Sequence, residues 1–122
     1  MQDDLIQRTK EKLVEYEERH QEILNAAMRL FNANGYAATT TASIAKEARV
    51  PERTMYRHFK NKQVLFAECI FSIVGELTEL QEKELEEKKD DSLAYLNAVT
   101  SSYVNFVINN PDKSMFLVHL YS

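Results

Sequence analysis

The chain has 122 residues and a formal net charge of −4, a length that suits one ordinary core or a small module with part of a second, but not two full domains. Its one cysteine excludes an internal disulfide, and no apolar run reaches the roughly 18 residues of a membrane span, so we expect a cytoplasmic protein without a membrane partner. With only two glycines and two prolines, few positions can break a helix, and the composition predicts an all-α protein.

The first predicted element is a long helix that begins near Asp3 and Asp4. It ends at Gly35, because glycine tolerates the positive φ of a helix C-terminus. Its second half carries an apolar stripe at three- and four-residue spacing that predicts a core-facing side, formed by Ile23, Leu24, Ala27, Leu30 and Phe31. Residues 1–18 are sparser in apolar positions and rich in alternating charges, so we expect them to form a solvated acidic helical extension.

Two short helices are predicted next. Thr39 is placed to cap a helix that continues through Ala48, and a turn follows at Arg49 and Val50. Pro51 suits the first position of the next helix, over about residues 51–58, because that position does not need a backbone N–H. An apolar face on this helix is predicted from two residues at four-residue spacing, Met55 and Phe59.

The second short helix lies in the one strongly basic part of this acidic chain. Residues 42–62 carry six Lys/Arg against two Glu, a net charge of +4. A short basic helix taken alone is more often a solvated face than a DNA surface. It is the local charge, however, that sets the phosphate footprint of a DNA-binding protein. A basic, one-sided helix after a turn therefore predicts the recognition helix of a helix-turn-helix.

A second pair of helices follows in the prediction. A long helix is expected from Asn61 and Lys62 to about Lys89, and residues 90–92 are expected to end it and cap the next. That next helix ends before Pro111 and carries an apolar stripe formed by Leu93, Leu96, Val99, Tyr103, Phe106 and Val107. The apolar segment after it resembles the start of a further helix, so we expect this chain to be part of a longer protein.

The region from Glu22 to Phe66 resembles the DNA-binding domain of the TetR family of bacterial transcriptional regulators. The resemblance is carried by ILNAAMRLF at residues 23–31, by the pairs Gly35-Tyr36, Thr39-Thr40 and Ile44-Ala45, and by T-x-Y-x-x-F-x-x-K at residues 54–62. It implies a three-helix helix-turn-helix head, a long connecting helix and a partial helical domain for ligand binding and dimerisation. The corresponding boundaries are an extension at 1–18, the head at 19–66 and a regulatory domain at 67–122.

Roles for individual residues follow from this architecture. A helix in the major groove presents its N-terminal residues to base edges, where Arg pairs with guanine and Glu accepts from cytosine. The candidates for base readout are Glu52, Arg53 and Arg57, with Thr41 of the preceding helix as a weaker one. By the resemblance, the residues expected to contact phosphates are Thr40, Thr54, Tyr56, His58 and Lys62. His20 has no partner that the sequence identifies, and Arg49 stands where many relatives have glycine.

The resemblance implies a ligand-responsive repressor that binds a pseudo-palindromic double-stranded DNA operator in the bacterial nucleoid. It further implies a homodimer in the full-length protein, an unknown small-molecule effector and no cofactor. A ligand pocket lined by aromatic residues is a weaker prediction, since core packing explains the same side chains; the candidates are Phe71, Tyr95, Tyr103 and Phe106. The effector, the operator, the regulated genes and the choice between repression and activation stay open.

Two other classes of function compete with this interpretation. A protein-interaction adaptor could keep the three-helix head without binding DNA. An enzyme is the weakest of the three hypotheses, because the sequence contains no recognisable nucleophile–base pair, metal cluster or phosphate-binding loop. We therefore expect a protein without a catalytic or metal site. Salt-sensitive binding of DNA would separate the first class from the other two.

Overall fold

The computed structural model describes residues 1–119, and this part of the chain contains six α-helices and no strand. The helices are α1 (Gln2–Asn34), α2 (Thr41–Ala48), α3 (Glu52–His58), α4 (Lys62–Lys88), α5 (Ser92–Asn109) and α6 (Pro111–His119). The all-α prediction is confirmed. None of the helices within residues 1–119 is both long and apolar enough to cross a membrane.

The chain divides into two compact units, one formed by residues 1–65 and one that begins at Phe66. The first unit contains α1, α2, α3 and the first turn of α4. The second contains the rest of α4 together with α5 and α6. The domain boundaries derived from the sequence stay predictions, and residues 120–122 of the third predicted domain lie outside the described residues.

The core of the first unit is built from the apolar stripe of α1 and from the inner faces of α2 and α3. All of the predicted stripe is buried except Leu30, which is half-buried. Helices α2 and α3 cover the stripe with side chains that are at most 2% exposed, namely Ile44, Ala45 and Met55, followed by Phe59 directly after α3. At the predicted end of α1, Gly35 has a φ of 82°, a conformation that favours glycine.

The cap of α2 lies one residue later than predicted. Thr40 is the N-cap, because its backbone is extended and its hydroxyl accepts a hydrogen bond from the backbone N–H of Ser43 at 3.1 Å. The Ser43 hydroxyl in turn accepts from the N–H of Thr40 at 3.2 Å, which closes a capping box. Thr39 is instead 1% exposed, and its hydroxyl donates to the carbonyls of Gly35 and Leu30. Thr39 therefore closes the end of α1 rather than the start of α2.

The turn between α2 and α3 depends on Arg49, which has a φ of 61° and a ψ of 41°. This left-handed residue brings the N–H of Val50 within 3.0 Å of the carbonyl of Ala45, so that carbonyl in the last turn of α2 has a partner. Pro51 follows in an extended conformation, with ψ of 148°, and is the N-cap of α3. The prediction that Pro51 is the first helical residue is wrong by one position, because its ψ is not helical.

Glycine at position 49 is expected to stabilise the first unit by about 1 kcal/mol, because an L side chain in the left-handed region carries a steric cost that glycine avoids. Arg49→Gly should raise the free energy of unfolding in urea. Lys60→Gly is the matched control: Lys60 is exposed, and Arg49 is the one non-glycine residue with positive φ in the described part of the chain. No gain in stability for Arg49→Gly, or an equal gain for Lys60→Gly, would contradict the strain.

The second unit differs from the prediction in the buried face of α5. As predicted, Asp91 caps this helix, since its carboxylate accepts from the N–H groups of Leu93 and Ala94. The buried residues of α5 are Ala98 and Phe106. Most of the predicted stripe is exposed: Leu93, Leu96, Tyr103 and Val107. Periodicity identifies an apolar face of a helix but not what covers that face.

Candidate nucleic-acid interface

Helix α3 has one buried and one exposed face, and the exposed face holds the predicted base-reading residues. Met55 is fully buried, which fixes the rotation of the helix about its own axis. Glu52, Arg53 and Arg57 are exposed, and the two arginines are four residues apart, so they lie on the same side of the helix. A helix held in this way presents a rigid basic surface, which is what contact with base edges in a groove requires.

The two short helices are joined on their exposed side by a hydrogen bond between Thr41 and Tyr56. Their hydroxyl oxygens are 2.8 Å apart. Thr41 is a predicted base contact and Tyr56 a predicted phosphate contact, and the structure brings them together. Because each hydroxyl has one proton and two lone pairs, the pair can still accept from or donate to a further group. The bond also limits the rotation of the Tyr56 ring, which is 46% exposed.

The predicted phosphate contacts at Thr40 and Thr54 differ in exposure. Thr40 is exposed and Thr54 is half-buried. The Thr40 hydroxyl accepts the capping hydrogen bond from Ser43, which leaves its own proton available for an oxygen acceptor. A phosphate next to Thr40 would also lie close to the N-terminus of α2, where the helix dipole favours an anion.

Lys62 is held in place by Tyr36. Its ammonium group donates to the carbonyl oxygen of Tyr36 at 2.8 Å and lies 4.1 Å from the centroid of the Tyr36 ring. That ring stacks on Phe31 of α1, with centroids 5.6 Å apart. Since an ammonium group has three donors, Lys62 keeps others for an anion. The sequence places Tyr36 between Gly35 and the basic segment, and its contact with Lys62 was not predicted.

His58 is oriented differently from the other predicted phosphate contacts. It is half-buried, its Nδ1 lies 3.1 Å from Nδ1 of His20, and its ring stacks on Tyr16 with centroids 4.1 Å apart. Burial lowers the pKa of His58 from its ordinary value of 6.5, and the nearby His20 and Arg19 lower it further. His20, which the sequence left without a partner, is thus placed beside the end of the recognition helix.

The four candidate pocket residues are separated within the second unit. Phe71 is 72% exposed and Tyr103 is 55% exposed. Tyr95 borders an open groove along α4, whereas Phe106 borders a different cavity of about 320 Å³ with Leu80 of α4. The structure therefore brings none of the four together in either of these two cavities.

The described part of the chain offers neither a reactive cysteine nor a cluster of metal ligands. Cys69 on α4 is fully buried, and burial raises the pKa of its thiol to about 12, so the reactive thiolate does not form near neutral pH. Residues 1–119 contain no group of three His, Cys, Asp or Glu side chains that could hold a metal ion. Among the described side chains, His20 and His58 form a close pair of imidazoles without a third such ligand.

Comparison with known proteins gives consistent results. A family model for bacterial regulatory proteins of the tetR family matches residues 23–69. The uncharacterized HTH-type transcriptional regulator YvkB of Bacillus subtilis (strain 168) is 58% identical over 43 residues, which cover 35% of this chain and 23% of that protein. The HTH-type transcriptional regulator AcrR of Shigella flexneri is 42% identical over 72 residues, which cover 59% of this chain and 31% of AcrR.

The structural comparison extends beyond the matched segment. The crystal structure of a TetR-family transcriptional regulator from Streptomyces coelicolor is similar with a TM-score of 0.66 and 28% sequence identity. The similarity covers 80% of this chain and 57% of that structure. The chain thus spans about a quarter to a third of the two relatives and just over half of this structure.

Proposed function

This chain belongs to the TetR family of bacterial regulatory proteins through its residues 23–69, and on that premise we propose that it is a ligand-responsive transcriptional repressor acting on a pseudo-palindromic operator. Helix α3 enters the major groove in this proposal. Arg53, Arg57 and Glu52 read base edges, with Thr41 at the margin. The other predicted contacts, apart from His58, grip the phosphates and set the register of the head on the duplex.

The observation that carries the proposal is the exposed pair Arg53 and Arg57 on a helix whose opposite face is fixed in the core. Met55 is completely buried on that opposite face, so the helix backbone that carries the two exposed arginines is held by the core. The turn before α3 keeps its left-handed residue even with arginine at position 49. Arginine at this position, where many relatives have glycine, is therefore compatible with the helix-turn-helix geometry.

The phosphate contacts account for affinity and for its dependence on salt. The net charge of +4 over residues 42–62 corresponds to about four neutralised phosphates per head, which gives a slope of log affinity against log salt of roughly −4. The acidic residues 1–18 oppose binding to DNA at large and favour binding at a defined sequence. They are also poorly suited to the minor groove, so we assign no DNA contact to them.

The ligand response is assigned to the second unit, and the dimer to the full-length protein. The cavity of about 320 Å³ beside Phe106 has room for a small effector molecule. Helix α4 is continuous from the head into the second unit. If α4 has two positions and only one of them favours DNA binding, a ligand that prefers the other position would weaken DNA binding. The change in DNA affinity is limited by the difference between the ligand's affinities for the two positions. Homodimerisation would match the two-fold symmetry of a pseudo-palindromic operator.

Selection from a randomised duplex pool at two salt concentrations tests the proposal. We expect enrichment of one sequence motif, present as an inverted repeat where two copies bind, and an affinity that falls with salt at the slope given above. Enrichment without salt dependence would contradict the assigned phosphate contacts. Absence of enrichment at either salt concentration would reject DNA recognition and favour the protein-interaction adaptor, in which the head serves as a scaffold.

A further inference from the structure

We propose that Tyr16 and His20 are positioning residues that dock the C-terminal end of the recognition helix against α1 through His58, and that acid releases this docking. The inference rests on the proposed function, since its consequence is a loss of DNA affinity at low pH. It also gives His58 a role other than the phosphate contact that the family resemblance implies.

The geometry ties the last residue of α3 to the middle of α1. Tyr16 and His20 are four residues apart and lie on the same side of α1. The ring of His58 stacks on Tyr16 at a centroid distance of 4.1 Å and an interplanar angle of 20°. His20 in turn stacks on the buried ring of Phe59 at 4.4 Å. Two successive residues at the end of the recognition helix are therefore held by two residues of α1.

The hydrogen bond within this cluster has a definite proton requirement. The Nδ1 atoms of His20 and His58 are 3.1 Å apart, so one nitrogen must carry the hydrogen while the other offers its lone pair. Two neutral imidazoles meet this requirement when one has its hydrogen on Nδ1 and the other has its hydrogen on Nε2. A pair in which one ring is protonated and the other is neutral also meets it, because the neutral ring can still offer the lone pair of its Nδ1. When both rings are charged, each Nδ1 carries a hydrogen. The bond is then lost, and two positive charges repel each other at short range.

The surroundings of His58 disfavour its charged form. The titratable and charged groups that α1 presents to it are Tyr16, Arg19 and His20; Phe59 contributes no charge. Burial, His20 and Arg19 all lower the pKa of His58. The released ring therefore binds a proton more readily than the docked ring. Docking is complete above about pH 6.5, the ordinary value, and weakens as the pH falls below it.

The sign of the pH effect separates this inference from a phosphate contact. If His58 gripped a phosphate, protonation would add a positive charge at the DNA backbone and acid would strengthen binding. If His58 docks the recognition helix, acid weakens binding. The two roles thus predict opposite changes in the same measurement.

The test is DNA affinity at pH 7.5 and pH 5.5 at constant ionic strength, measured by fluorescence anisotropy with a duplex enriched in the selection described above. We expect binding to be several-fold weaker at pH 5.5 than at pH 7.5, because the released His58 ring binds a proton that the docked ring disfavours. In His20→Asn the side-chain amide oxygen can accept from a protonated His58, so the acid effect should fall below about twofold. His119→Asn removes the third histidine and should keep the wild-type response.

A measurement without DNA keeps the two proposals distinguishable. The urea midpoint of the first unit should fall between pH 7.5 and pH 5.5 in the wild type and change little in His20→Asn. If no duplex binds at pH 7.5, the proposed function fails, while this comparison still decides the docking. DNA affinity that rises or stays constant in acid, or an unchanged acid response in His20→Asn, would overturn the inference.

Discussion

Replacement of Arg53 and Arg57 by alanine together is expected to weaken the binding of duplex DNA on the order of a thousandfold. An arginine that pairs with a base edge contributes about 1–3 kcal/mol of discrimination, and two such contacts multiply in the affinity. Both side chains are exposed, while the core contacts of α3 are made by Met55 and Phe59 on the other face. The variant should therefore keep its fold and its free energy of unfolding.

The matched control removes the same charge from the second unit. Lys88 and Lys89 are exposed at the end of α4 and pair with Glu84 and Glu86. We expect Lys88→Ala with Lys89→Ala to change DNA affinity by less than about threefold, since both ammonium groups already pair with neighbouring carboxylates. Equal losses in both double variants would indicate a general charge effect. No loss in the arginine variant would reject α3 as the DNA-reading surface.

Truncation of Phe59 to alanine is expected to destabilise the first unit by about 3–5 kcal/mol, the usual cost of removing a buried phenyl ring. Phe59 is 1% exposed, lies directly after α3, and stacks on His20 of α1 with centroids 4.4 Å apart. Its loss would leave a cavity where α1 and α3 meet. Because a domain of this size is stable by only about 5–15 kcal/mol, the variant should lose a large fraction of the stability of the head.

The experiment is urea unfolding followed by far-ultraviolet circular dichroism. Phe71→Ala is the control, because it removes the same phenyl ring from a residue of α4 that is 72% exposed. We expect a change within about 0.5 kcal/mol for that variant. A similar loss in both variants would show that ring removal costs stability regardless of burial. A Phe59→Ala variant as stable as the wild type would contradict its place in the core.

The helices were predictable because their start and stop signals are local. Gly35 ends α1 and Asp91 caps α5, each within a residue of the position expected from sequence, whereas α6 begins at Pro111, two residues before the expected segment. The core of the head was predictable for a similar reason. The apolar residues of α1 recur at helical spacing, so they lie on one side of the helix, and that side faces the core. The Arg53 and Arg57 surface follows from the same pattern, because it is the face left over once Met55 and Phe59 are assigned to the core.

The sequence by itself thus determined the helical elements, the composition of the head core and the basic face of α3, since each depends on residues a few positions apart. Only the tertiary structure decided which of two adjacent threonines caps α2, which side of α5 is buried, and that His58 meets Tyr16 and His20. The 38 residues that separate His20 from His58 carry no local signal of their contact. Such contacts depend on how α1, α2 and α3 pack, and packing is set by the shape of the whole core.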